Sequence, residues 1–497
     1  MKSLYGTKVV LALEMSRVEK LEFNKDPTNE EAFMINAGTS IAQIVDQFIS
    51  TNNLKKHCVL FIGKGNNGGD AYVCGSILLK KGYTVDVIQA FPLEQCSALN
   101  QKMGKEFFSH NKSKILNDHL PDKGLIIDGL LGTGFKGKVE EPLATIIDKI
   151  NSSSLPVISI DIPSGVDGNT GQVATKAVIA DLTIFLGMAK TGFFIASGYN
   201  HVQKLAYADF GLGKEYIEEA NEDFFLLDEN ALKECLPKIP FTRHKYQAGY
   251  VLAFTGSSGM RGAACLSSLS ALRTGSGMVR LFVPENLQMH LPLEVVCSDR
   301  DQTIFFEEAK RAKVAYLGPG IGRDEKTKEF LQTLLEKIEL PCVIDADALF
   351  LIGKHDLKIP KNSILTPHRK EMATLLGQET SDLDEKVFFE KCQAYVEKHN
   401  AVLVLKGAPT FIFQSEHKPL VIPKGDPGMA TAGTGDVLTG IIASFVSQGL
   451  FPFHAAVLGA TVHGICGEIA AKEKTSYSVI ASDLIEKIPE ALAYLKV

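Results

Sequence analysis

The first part of the chain alternates short apolar runs with longer amphipathic stretches. Apolar positions in Glu31–Ile49 recur at the three- and four-residue spacing of a helix with one buried face. A second helix is predicted over Ala71–Lys80, and four apolar runs predict β-strands: Cys58–Ile62, Thr84–Gln89, Leu125–Ile127 and Val157–Ile160. Strands that alternate with helices predict a parallel, doubly wound α/β sheet, in which ligands bind beyond the carboxyl ends of the strands.

A second alternation of the same kind begins after Lys214–Asp223, a charged segment that predicts a helical linker. Its predicted strands are Tyr250–Thr255, Val279–Val283, Val314–Leu317, Cys342–Asp345 and Val402–Leu405. At 497 residues the chain is also too long for one ordinary hydrophobic core. We therefore predict two α/β domains, a Rossmann-like domain over residues 1–220 and a second domain over residues 221–497.

The overall charge and the cysteines narrow the class of protein. A net charge of −6 and a pI near 6.1 argue against a nucleic-acid partner, which would require a basic face. The nine cysteines include no C-x-x-C pair, which favours a reducing compartment over a disulfide framework. We expect a cytoplasmic protein, and we expect a homo-oligomer because sheets of this kind often assemble symmetrically.

One segment, Phe451–Ala471, is long and apolar enough to cross a membrane. It contains His454, His463 and Glu468, which favour a buried core helix instead. At the start of the chain, the short apolar stretch Val9–Leu13 is flanked by charges and does not resemble a secretory signal. We therefore expect no membrane partner.

The first candidate site is the glycine-rich segment Gly63–Asp70, between a predicted strand and a predicted helix. Unpaired backbone N–H groups at such a position can bind phosphates. The G-x-G-x-x-G spacing of this segment also satisfies the dinucleotide fingerprint of dehydrogenases. That fingerprint requires an acidic residue at the end of the next strand, where this chain has Gln89 and Ala90. A dehydrogenase is therefore disfavoured.

Two further motifs follow the next predicted strands. A glycine-rich basic loop runs from Asp128 to Lys138, and the segment Asp161–Ser164 places a carboxylate and a hydroxyl at the end of another strand. Asn67, Asp128 and Ser164 all offer oxygen atoms that could converge on a hard monovalent or divalent cation. Each of them could instead cap a turn or a helix, as Asp, Asn and Ser often do.

The second candidate site lies in the C-terminal half of the chain. Asp426–Asp436 contains three glycines and leads into an apolar run, so it predicts an anion-binding helix N-terminus with its last aspartate as an acid or base. A favourable first-turn charge is the simpler alternative for that aspartate. Nearby candidates are Lys406–Thr410 for a phosphate or nucleoside, Gly318–Gly322 for close backbone approach, and His368 in a predicted loop.

Roughly residues 5–215 resemble the epimerase domain of the NAD(P)H-hydrate repair enzymes. The matching motifs are Asn66–Asp70, Asp128 with Gly132–Gly134, Asp161–Ser164 and Asn36–Gly38. The resemblance implies that Asn67, Asp128 and Ser164 hold a potassium ion. It also implies that the hydrated dinucleotide contacts Asn66, Asn67, Gly68, Gly69, Asp70, Gly132, Thr133, Gly134, Phe135, Lys136, Gly137, Lys138 and Asp161. Ala71 departs from the glycine that is usual in the family.

Residues from about 225 to 497 resemble the ribokinase-like superfamily, and within it the ADP-dependent NAD(P)H-hydrate dehydratases. The matching stretches are His244-Lys245, Gly249, Gly256–Ser258, Gly262-Ala263, Gly318–Gly322, Thr366–His368, Glu371, Lys406-Gly407 and Gly433–Asp436. The resemblance implies that ADP binds at Lys406, Gly407, Ala408, Pro409, Thr410, Asp426, Pro427, Gly428, Met429, Ala430, Thr431, Ala432, Gly433, Thr434 and Gly435. It places the hydrated dinucleotide at Gly320, His368 and Asp436. Arg369 and Lys370 replace the family's usual Pro-Gly, which leaves the shape of that loop open.

Together the two resemblances imply a metabolite-repair enzyme for hydrated NADH and NADPH. The N-terminal domain would interconvert the R and S hydrates, with Asp161 as acid and base. The C-terminal domain would dehydrate the S hydrate with Asp436 as base and ADP as co-substrate, and Mg²⁺ is expected because phosphoryl transfer needs charge neutralisation. Two other functions stay open at this point. One is a kinase for a small vitamin-type alcohol with a regulatory N-terminal domain, and the other is a nucleotide sensor without turnover.

Overall fold

The computed structural model describes residues 3–26, 29–110, 115–116, 120–284, 291–379 and 383–496. It contains two compact units, one over Thr7–Phe224 and one from Phe225 onward. The segment that ends at Gly6 groups with the second unit, because the carbonyl of Leu4 accepts a hydrogen bond from the backbone N–H of Asp228. The observed first unit therefore differs at both ends from the predicted domain over residues 1–220.

The N-terminal unit is built on a parallel six-stranded sheet. Its elements are β1 (Tyr5–Val10, which crosses the division), α1 (Ala12–Lys25), α2 (Asn29–Thr51), β2 (His57–Ile62), α3 (Asn66–Lys80), β3 (Thr84–Gln89), α4 (Ala98–His110), β4 (Leu125–Gly129), α5 (Leu143–Asn151), β5 (Val157–Ile160), β6 (Leu182–Leu186), β7 (Ala189–Lys190), α6 (Gly198–Val202), β8 (Lys204–Ala208) and α7 (Lys214–Glu219). The sheet order is β3-β2-β4-β5-β6-β8, and all of its pairings are parallel. Apart from it, β1 pairs with β7 in parallel.

Alternate residues of β2 enter two different apolar clusters. Cys58, Leu60 and Ile62 pack in the cluster that includes α2 and α3, whereas Val59 and Phe61 pack in the cluster that includes α5. Because successive side chains of a strand point to opposite faces, helices cover both faces of this sheet. The predicted doubly wound α/β architecture is therefore confirmed.

The predicted start of α3 was wrong. The helix begins at Asn66 rather than at Ala71, so the segment predicted as a loop supplies the first turns of the helix. Two consecutive glycines lower helix propensity, which is why the sequence predicted a loop there. Tertiary packing requires those glycines: a Cβ at Gly68 would lie 2.6 Å from Asn100 Nδ2, and a Cβ at Gly69 would lie 2.6 Å from the sulfur of Met34.

The C-terminal unit continues the chain with a larger, mixed sheet. Its elements are β9 (Phe224–Leu227), α8 (Glu229–Lys233), β10 (Tyr250–Phe254), α9 (Arg261–Arg273), β11 (Met278–Val283), β12 (Val296–Asp299), α10 (Gln302–Ala309), β13 (Val314–Leu317), α11 (Glu325–Lys337), β14 (Cys342–Ile344), α12 (Asp347–His355), β15 (Ile364–Leu365), α13 (Arg369–Leu376), α14 (Glu385–His399), β16 (Val402–Leu405), β17 (Thr410–Phe413), β18 (Leu420–Ile422), α15 (Thr434–Ser447), α16 (Pro452–Lys474) and α17 (Ala481–Lys496). The strands are ordered β12-β11-β10-β13-β14-β15-β16-β17-β18-β9. Pairing is parallel from β12 to β16 and antiparallel from β16 to β18.

The segment that is long enough to cross a membrane is the central helix α16. Among the described residues it is the one helix that meets the length and hydropathy requirements for a span. Its most apolar window is 78% buried inside the protein, and its small residues pack in the main core of the C-terminal unit. The prediction of a buried core helix is confirmed.

Candidate active sites

The ends of β4 and β5 bring the predicted cation ligands of the N-terminal unit together. Asp128 is fully buried. One of its carboxylate oxygens accepts hydrogen bonds from Ser164 Oγ at 2.6 Å and from the backbone N–H of Leu130 at 3.2 Å. The other accepts from Ser159 Oγ at 2.8 Å and from Ser164 N at 3.0 Å. Burial raises the pKa of Asp128, and the hydrogen bonds from Ser164 oppose that rise.

Asn67, in the first turn of α3, joins the same cluster. Its Nδ2 donates to the carbonyl oxygens of Leu131 at 2.9 Å and Ile160 at 3.2 Å, while the N–H of Leu131 donates to Ser164 Oγ at 2.9 Å. Its Oδ1 is buried and accepts no hydrogen bond from the described part of the chain. The structure therefore brings the predicted oxygen donors together and adds two backbone carbonyls that the sequence did not indicate.

Asp161 follows β5 in a left-handed backbone conformation with φ of 64°, which is uncommon for a residue other than glycine. Its Oδ1 lies 2.5 Å from Lys190 Nζ. Its Oδ2 is 3.8 Å from where a Cβ would stand on Gly132, and that position is also 3.5 Å from Asn67 Cβ. One oxygen of Asp161 is thus held by an ammonium, and the other faces the second glycine-rich loop.

Two more acidic side chains are close enough to Asp161 for their charges to interact. They are Asp70, in α3, and Glu19, in α1. Burial raises the pKa of Asp70 well above its usual value, and the charges of Asp161 and Glu19 raise it further. Burial and the charge of Asp161 raise the pKa of Glu19 to about 7, while Lys190 opposes that rise. Burial therefore shifts both groups toward their protonated forms, and Glu19 is about half ionised near pH 7.

The remaining predicted contact residues of this unit lie around the cluster. Asn66 is exposed and bonds to Ser97 Oγ at 2.7 Å and Glu30 at 3.3 Å. Lys136 and Lys138 are exposed in the loop after β4, and no described contact ties either lysine to Asp161. These side chains are therefore exposed at the surface rather than fixed in the buried cluster.

Asn100, in α4, holds the first glycine-rich segment through hydrogen bonds to its backbone. It is fully buried, and its Nδ2 donates to the carbonyl oxygens of Gly63 at 3.0 Å and Gly65 at 2.7 Å. No sequence motif indicates this role, because Asn100 lies outside every one of them. The buried amide of Asn100 thus holds the backbone of the segment that leads into α3.

The second glycine segment lies where α15 begins in the C-terminal unit. Gly433 caps the helix with φ of 92°, and Asp436 lies in its first turn. His463 Nε2, from α16, is 2.9 Å from the carbonyl oxygen of Thr434. Burial lowers the pKa of His463 to about 4, against the effect of that contact, so the imidazole is neutral. Its Nε2 must carry the proton, since a carbonyl can only accept.

A buried group of charges lies beside this helix start. Lys406 Nζ is 2.7 Å from Asp345 Oδ1 and 3.7 Å from Glu371 Oε2, and the other oxygen of Asp345 accepts from Thr439 Oγ1 at 2.9 Å. Burial alone would lower the pKa of Lys406, but the charges of Asp345 and Glu371 outweigh it and raise that pKa. Burial and then the charge of Asp345 raise the pKa of Asp436 to about 7.

His368 and Lys406 are brought together by an isolated parallel bridge between their backbones. His368 is the N-cap of α13: its Nδ1 accepts from Glu371 N at 3.1 Å, and its own N–H donates to Glu371 Oε2 at 2.9 Å. Because Nδ1 accepts, the proton of a neutral imidazole is on Nε2. The side chain is 53% exposed, so Nε2 is accessible to a ligand.

Two other predicted parts of this site, Gly320 and the loop that begins at Asp426, have backbone conformations set by local contacts. Gly320 has φ of 59°, and a Cβ there would lie 2.8 Å from Met260 Cβ. Asp426 caps the short 3-10 helix Pro427–Met429, with Oδ1 accepting from Gly428 N at 2.8 Å. The carboxylate of Asp426 therefore holds the loop in place, and the residues that follow it are partly exposed.

Sequence reasoning missed Glu19, Asn100, Lys190, Asp345 and His463. Asp345 was noted only as the end of a strand, although an aspartate at the carboxyl end of a parallel strand is itself a site signal. The other side chains reach their sites only through the fold.

Two family models match the chain. The model described as the N-terminus of YjeF-related proteins matches residues 30–192. The model described as NAD(P)H-hydrate dehydratase matches residues 251–490. Each match falls within one of the two compact units. The dehydratase family expected for the C-terminal half is confirmed.

Curated relatives are similar over nearly the whole length. A bifunctional NAD(P)H-hydrate repair enzyme from Moorella thermoacetica is 32% identical over 98% of this chain and 97% of its own length. An enzyme of the same name from Escherichia coli is 31% identical over 87% of this chain and 84% of its own length. The crystal structure of a hypothetical protein from Streptococcus mutans matches with a TM-score of 0.50 at 27% identity, covering 55% of this chain and 100% of that one.

Proposed function

This chain belongs to the family of bifunctional NAD(P)H-hydrate repair enzymes, and we propose that each of its two units carries out one step of the repair. The N-terminal unit interconverts the R and S hydrates of NADH and NADPH. The C-terminal unit dehydrates the S hydrate to NAD(P)H, consuming ADP and releasing AMP and phosphate. The proposal is supported most directly by one arrangement, in which each unit has an aspartate, Asp161 or Asp436, beside a glycine-rich loop or helix start.

For epimerisation we assign the proton transfers to Asp161. A hydrated nicotinamide carries its hydroxyl on the carbon next to the ring nitrogen, whose lone pair assists loss of that group. The leaving hydroxyl needs a proton, and the water that adds to the other face must later lose one. Asp161 suits both tasks because its Oδ2 faces Gly132. Lys138 is our candidate for binding the diphosphate.

A potassium ion fits the residues around Asn67. The buried Oδ1 of Asn67 lacks a hydrogen-bond partner among the described residues, while its Nδ2 is held by the carbonyl oxygens of Leu131 and Ile160. Oxygen donors with a single carboxylate suit a hard cation of low charge. We propose that Asn67, Asp128 and Ser164 hold K⁺, where the ion would order the loops that bind the diphosphate.

Replacing Asn67 with leucine is expected to abolish the response to potassium. For the wild-type chain, exchanging KCl for NaCl at constant ionic strength should lower both the epimerase rate and the melting temperature. Saturation at about 100 times the dissociation constant is worth about 2.7 kcal/mol of stability. Thermal melts and epimerase assays in the two salts measure this effect. The exposed Asn52→Leu variant is the matched control and should keep the potassium response. Full retention of that response in Asn67→Leu would remove this residue from the site.

For dehydration we assign the base to Asp436. The hydroxyl of the hydrate attacks the β-phosphorus of ADP, the bond to the bridging oxygen breaks, and AMP departs. Phosphate then leaves the ring carbon with assistance from the ring nitrogen, and a proton is lost from the neighbouring carbon to restore the double bond. Asp436 accepts the proton of the attacking hydroxyl, and backbone N–H groups at the start of α15 stabilise the developing charge.

Mg²⁺ would be bound together with the nucleotide. Within the described ranges, no group of three His, Cys, Asp or Glu side chains is placed to hold a metal ion. Mg²⁺ is commonly held by one or two carboxylates plus substrate phosphates, and Glu371 beside Lys406 is the carboxylate we propose for it. When bound, the ion would neutralise charge on the transferring phosphoryl group.

The proposed function is tested by absorbance at the reduced-nicotinamide band. The full chain is mixed with separated R and S hydrates, Mg²⁺ and either ADP or ATP. The S hydrate should yield NADH at once with ADP, and the R hydrate should follow after conversion to S. A stable phosphorylated product without recovery of NADH would favour a small-molecule kinase instead.

The proposal also includes the cellular location and the oligomeric state of the enzyme. None of the nine cysteines, all of which the structure describes, forms a disulfide, which suits a reducing cytoplasm, and we propose that location. We also propose a homo-oligomer, on the general tendency of such folds to assemble symmetrically. Size-exclusion chromatography with light scattering measures the oligomeric state.

A further inference from the structure

The epimerase unit contains a buried lysine that the proposed chemistry has not used. Lys190, in β7, is 1% exposed, and its Nζ lies 2.5 Å from Asp161 Oδ1 and 2.9 Å from the carbonyl oxygen of Leu186. A buried charge is costly unless it is paired. An ammonium placed against the candidate catalytic carboxylate therefore calls for a functional explanation.

The fold holds Lys190 and Asp161 firmly against each other. Lys190 is fixed in register against Val10 of β1, and its Cγ is 3.8 Å from where a Cβ would stand on Gly168. Asp161 is fixed through its backbone N–H, which donates to the carbonyl of Ile184 at 2.7 Å. Both partners sit at strand ends of one packed unit, so their contact does not depend on a mobile side chain at the surface.

The charges that act on this pair come from two helices. Glu19 lies on α1 and Asp70 lies on α3, and both have pKa values raised by burial and by the charge of Asp161. Lys190 and Asp161 carry opposite charges whose atoms are 2.5 Å apart, so the two charges largely balance each other. A neutral pair of this kind can move its proton between nitrogen and oxygen without creating a net charge in the site.

We propose that Lys190 is the proton reservoir of the epimerase and acts through Asp161. The inference rests on the proposed role of Asp161. The proton moves from Lys190 Nζ to Asp161 and from there to the departing hydroxyl as its carbon–oxygen bond breaks. The ring nitrogen's lone pair forms a double bond to that carbon, water is released, and the ring becomes cationic. Water then bonds to the other face, and its proton returns through Asp161 to Lys190.

The charges in the site favour a mechanism in which Lys190 supplies the proton and Asp161 transfers it. When the proton has left, Lys190 is neutral and Asp161 carries a negative charge beside the cationic ring. That attraction exists only while the intermediate is present, which is the condition for an interaction to accelerate a reaction. A permanently ionised Asp161 held by a fixed cation could not protonate the hydroxyl at all. Lys190 is therefore a positioning residue: it holds Asp161 in place and supplies the proton that Asp161 transfers.

Two substitutions separate the proton supply from the positive charge. Arginine keeps the charge but does not give up its proton in proteins, so Lys190→Arg should lower kcat by a factor on the order of 10²–10⁴ at every pH. Lys190→Met removes both the proton and the charge, so Asp161 must take its proton from the solvent. This variant should be equally impaired at pH 8 and should recover activity as the pH falls, with KM nearly unchanged in both variants.

The measurement is interconversion of R and S hydrates by the full chain without ADP, followed by chromatography from pH 5 to 9. The matched control is Lys81→Met, which removes an exposed lysine that pairs with Asp46 at 2.8 Å and should leave the profile unchanged. Dehydration of the S hydrate in the same samples, together with thermal melts, reports on folding. Near-normal kcat in Lys190→Arg, or a normal rate at pH 8 in Lys190→Met, would overturn the inference.

A double variant keeps the test decisive if Lys190→Met alone folds poorly. Lys190→Met with Asp161→Asn removes both charges together and leaves no unpaired ion in the site. Residues that act as a unit are not additive, so the double variant should be no slower than Asp161→Asn alone. A further loss in the double variant would count against the inference. If Asp161→Asn itself keeps full activity, the proposed role of Asp161 fails, whatever Lys190 does.

Discussion

The Asp436→Asn variant of the full chain is expected to lose ADP-dependent dehydration by a factor on the order of 10²–10⁴, the usual contribution of a general base. Asparagine has nearly the same shape but cannot accept the proton of the attacking hydroxyl. Formation of NADH from the S hydrate, ADP and Mg²⁺, followed by absorbance, measures the loss. Interconversion of the R and S hydrates should continue, because Asp161 lies in the other unit.

The pH dependence of the wild-type chain gives a second readout of the same role. The pKa of Asp436 is raised to about 7 by burial and then by the charge of Asp345, while Lys406 opposes the rise. A base acts only in its ionised form, so kcat/KM for dehydration should increase as the pH rises through about 7 and then level off. That rise should be absent from the residual activity of Asp436→Asn.

The competing explanation is that Asp436 merely provides a favourable charge at the start of α15. Asp301→Asn is the matched control, since Asp301 caps α10 in the same unit through a hydrogen bond from Ile304 N at 2.8 Å. Asp301→Asn should lower stability slightly, by about 0.3–1 kcal/mol from the helix dipole. Asp436→Asn should not lower it, because burial already disfavours the charged form of Asp436, and only Asp436→Asn should stop dehydration. Near-normal dehydration by Asp436→Asn would show that its carboxylate is only a helix charge.

Strands were the part of the fold that the sequence predicted best. Thr84–Gln89, Val157–Ile160, Val314–Leu317 and Val402–Leu405 have the predicted bounds. Each is a short apolar run between polar or glycine-containing turns, and buried parallel strands need apolar residues on both faces. The local pattern was therefore sufficient to locate these strands, and their carboxyl ends indicated where the site residues would meet.

The sequence-based predictions failed where contacts between residues distant in sequence determine the local structure. α3 includes Gly68 and Gly69 in its first turns, although glycine lowers helix propensity, because Asn100 and Met34 leave no space for side chains there. No local rule reveals that contact.

The two lysines that pair with site aspartates show the same limit. Lys190 lies 29 residues from Asp161, and Lys406 lies 61 residues from Asp345. A lysine in a sequence predicts a solvated surface, and only the folded chain shows that these two are paired with carboxylates. The sequence predicted the carboxylates of both sites better than their cationic partners.

Asp161→Asn is expected to stop conversion of the R hydrate while dehydration of the S hydrate continues. Without a carboxyl group at this position the leaving hydroxyl receives no proton, and the epimerase rate should fall by a factor on the order of 10²–10⁴. The clearest assay supplies a mixture of both hydrates with ADP and Mg²⁺. The wild-type chain should convert the whole mixture to NADH, whereas Asp161→Asn should stop when the S hydrate is consumed and leave the R hydrate, identified by chromatography.

Asp86→Asn is the matched control for that experiment, because Asp86 and Asp161 are each 8% exposed in the same unit and each contacts a basic side chain. If replacing a buried, paired aspartate lowered activity by destabilising the unit, both variants would be affected. If the loss is catalytic, only Asp161→Asn should be affected. Mixing Asp161→Asn with Asp436→Asn supplies one intact site of each kind on separate chains. Full conversion by that mixture would show that the two activities work independently, and complete conversion by Asp161→Asn alone would exclude Asp161 as the acid and base.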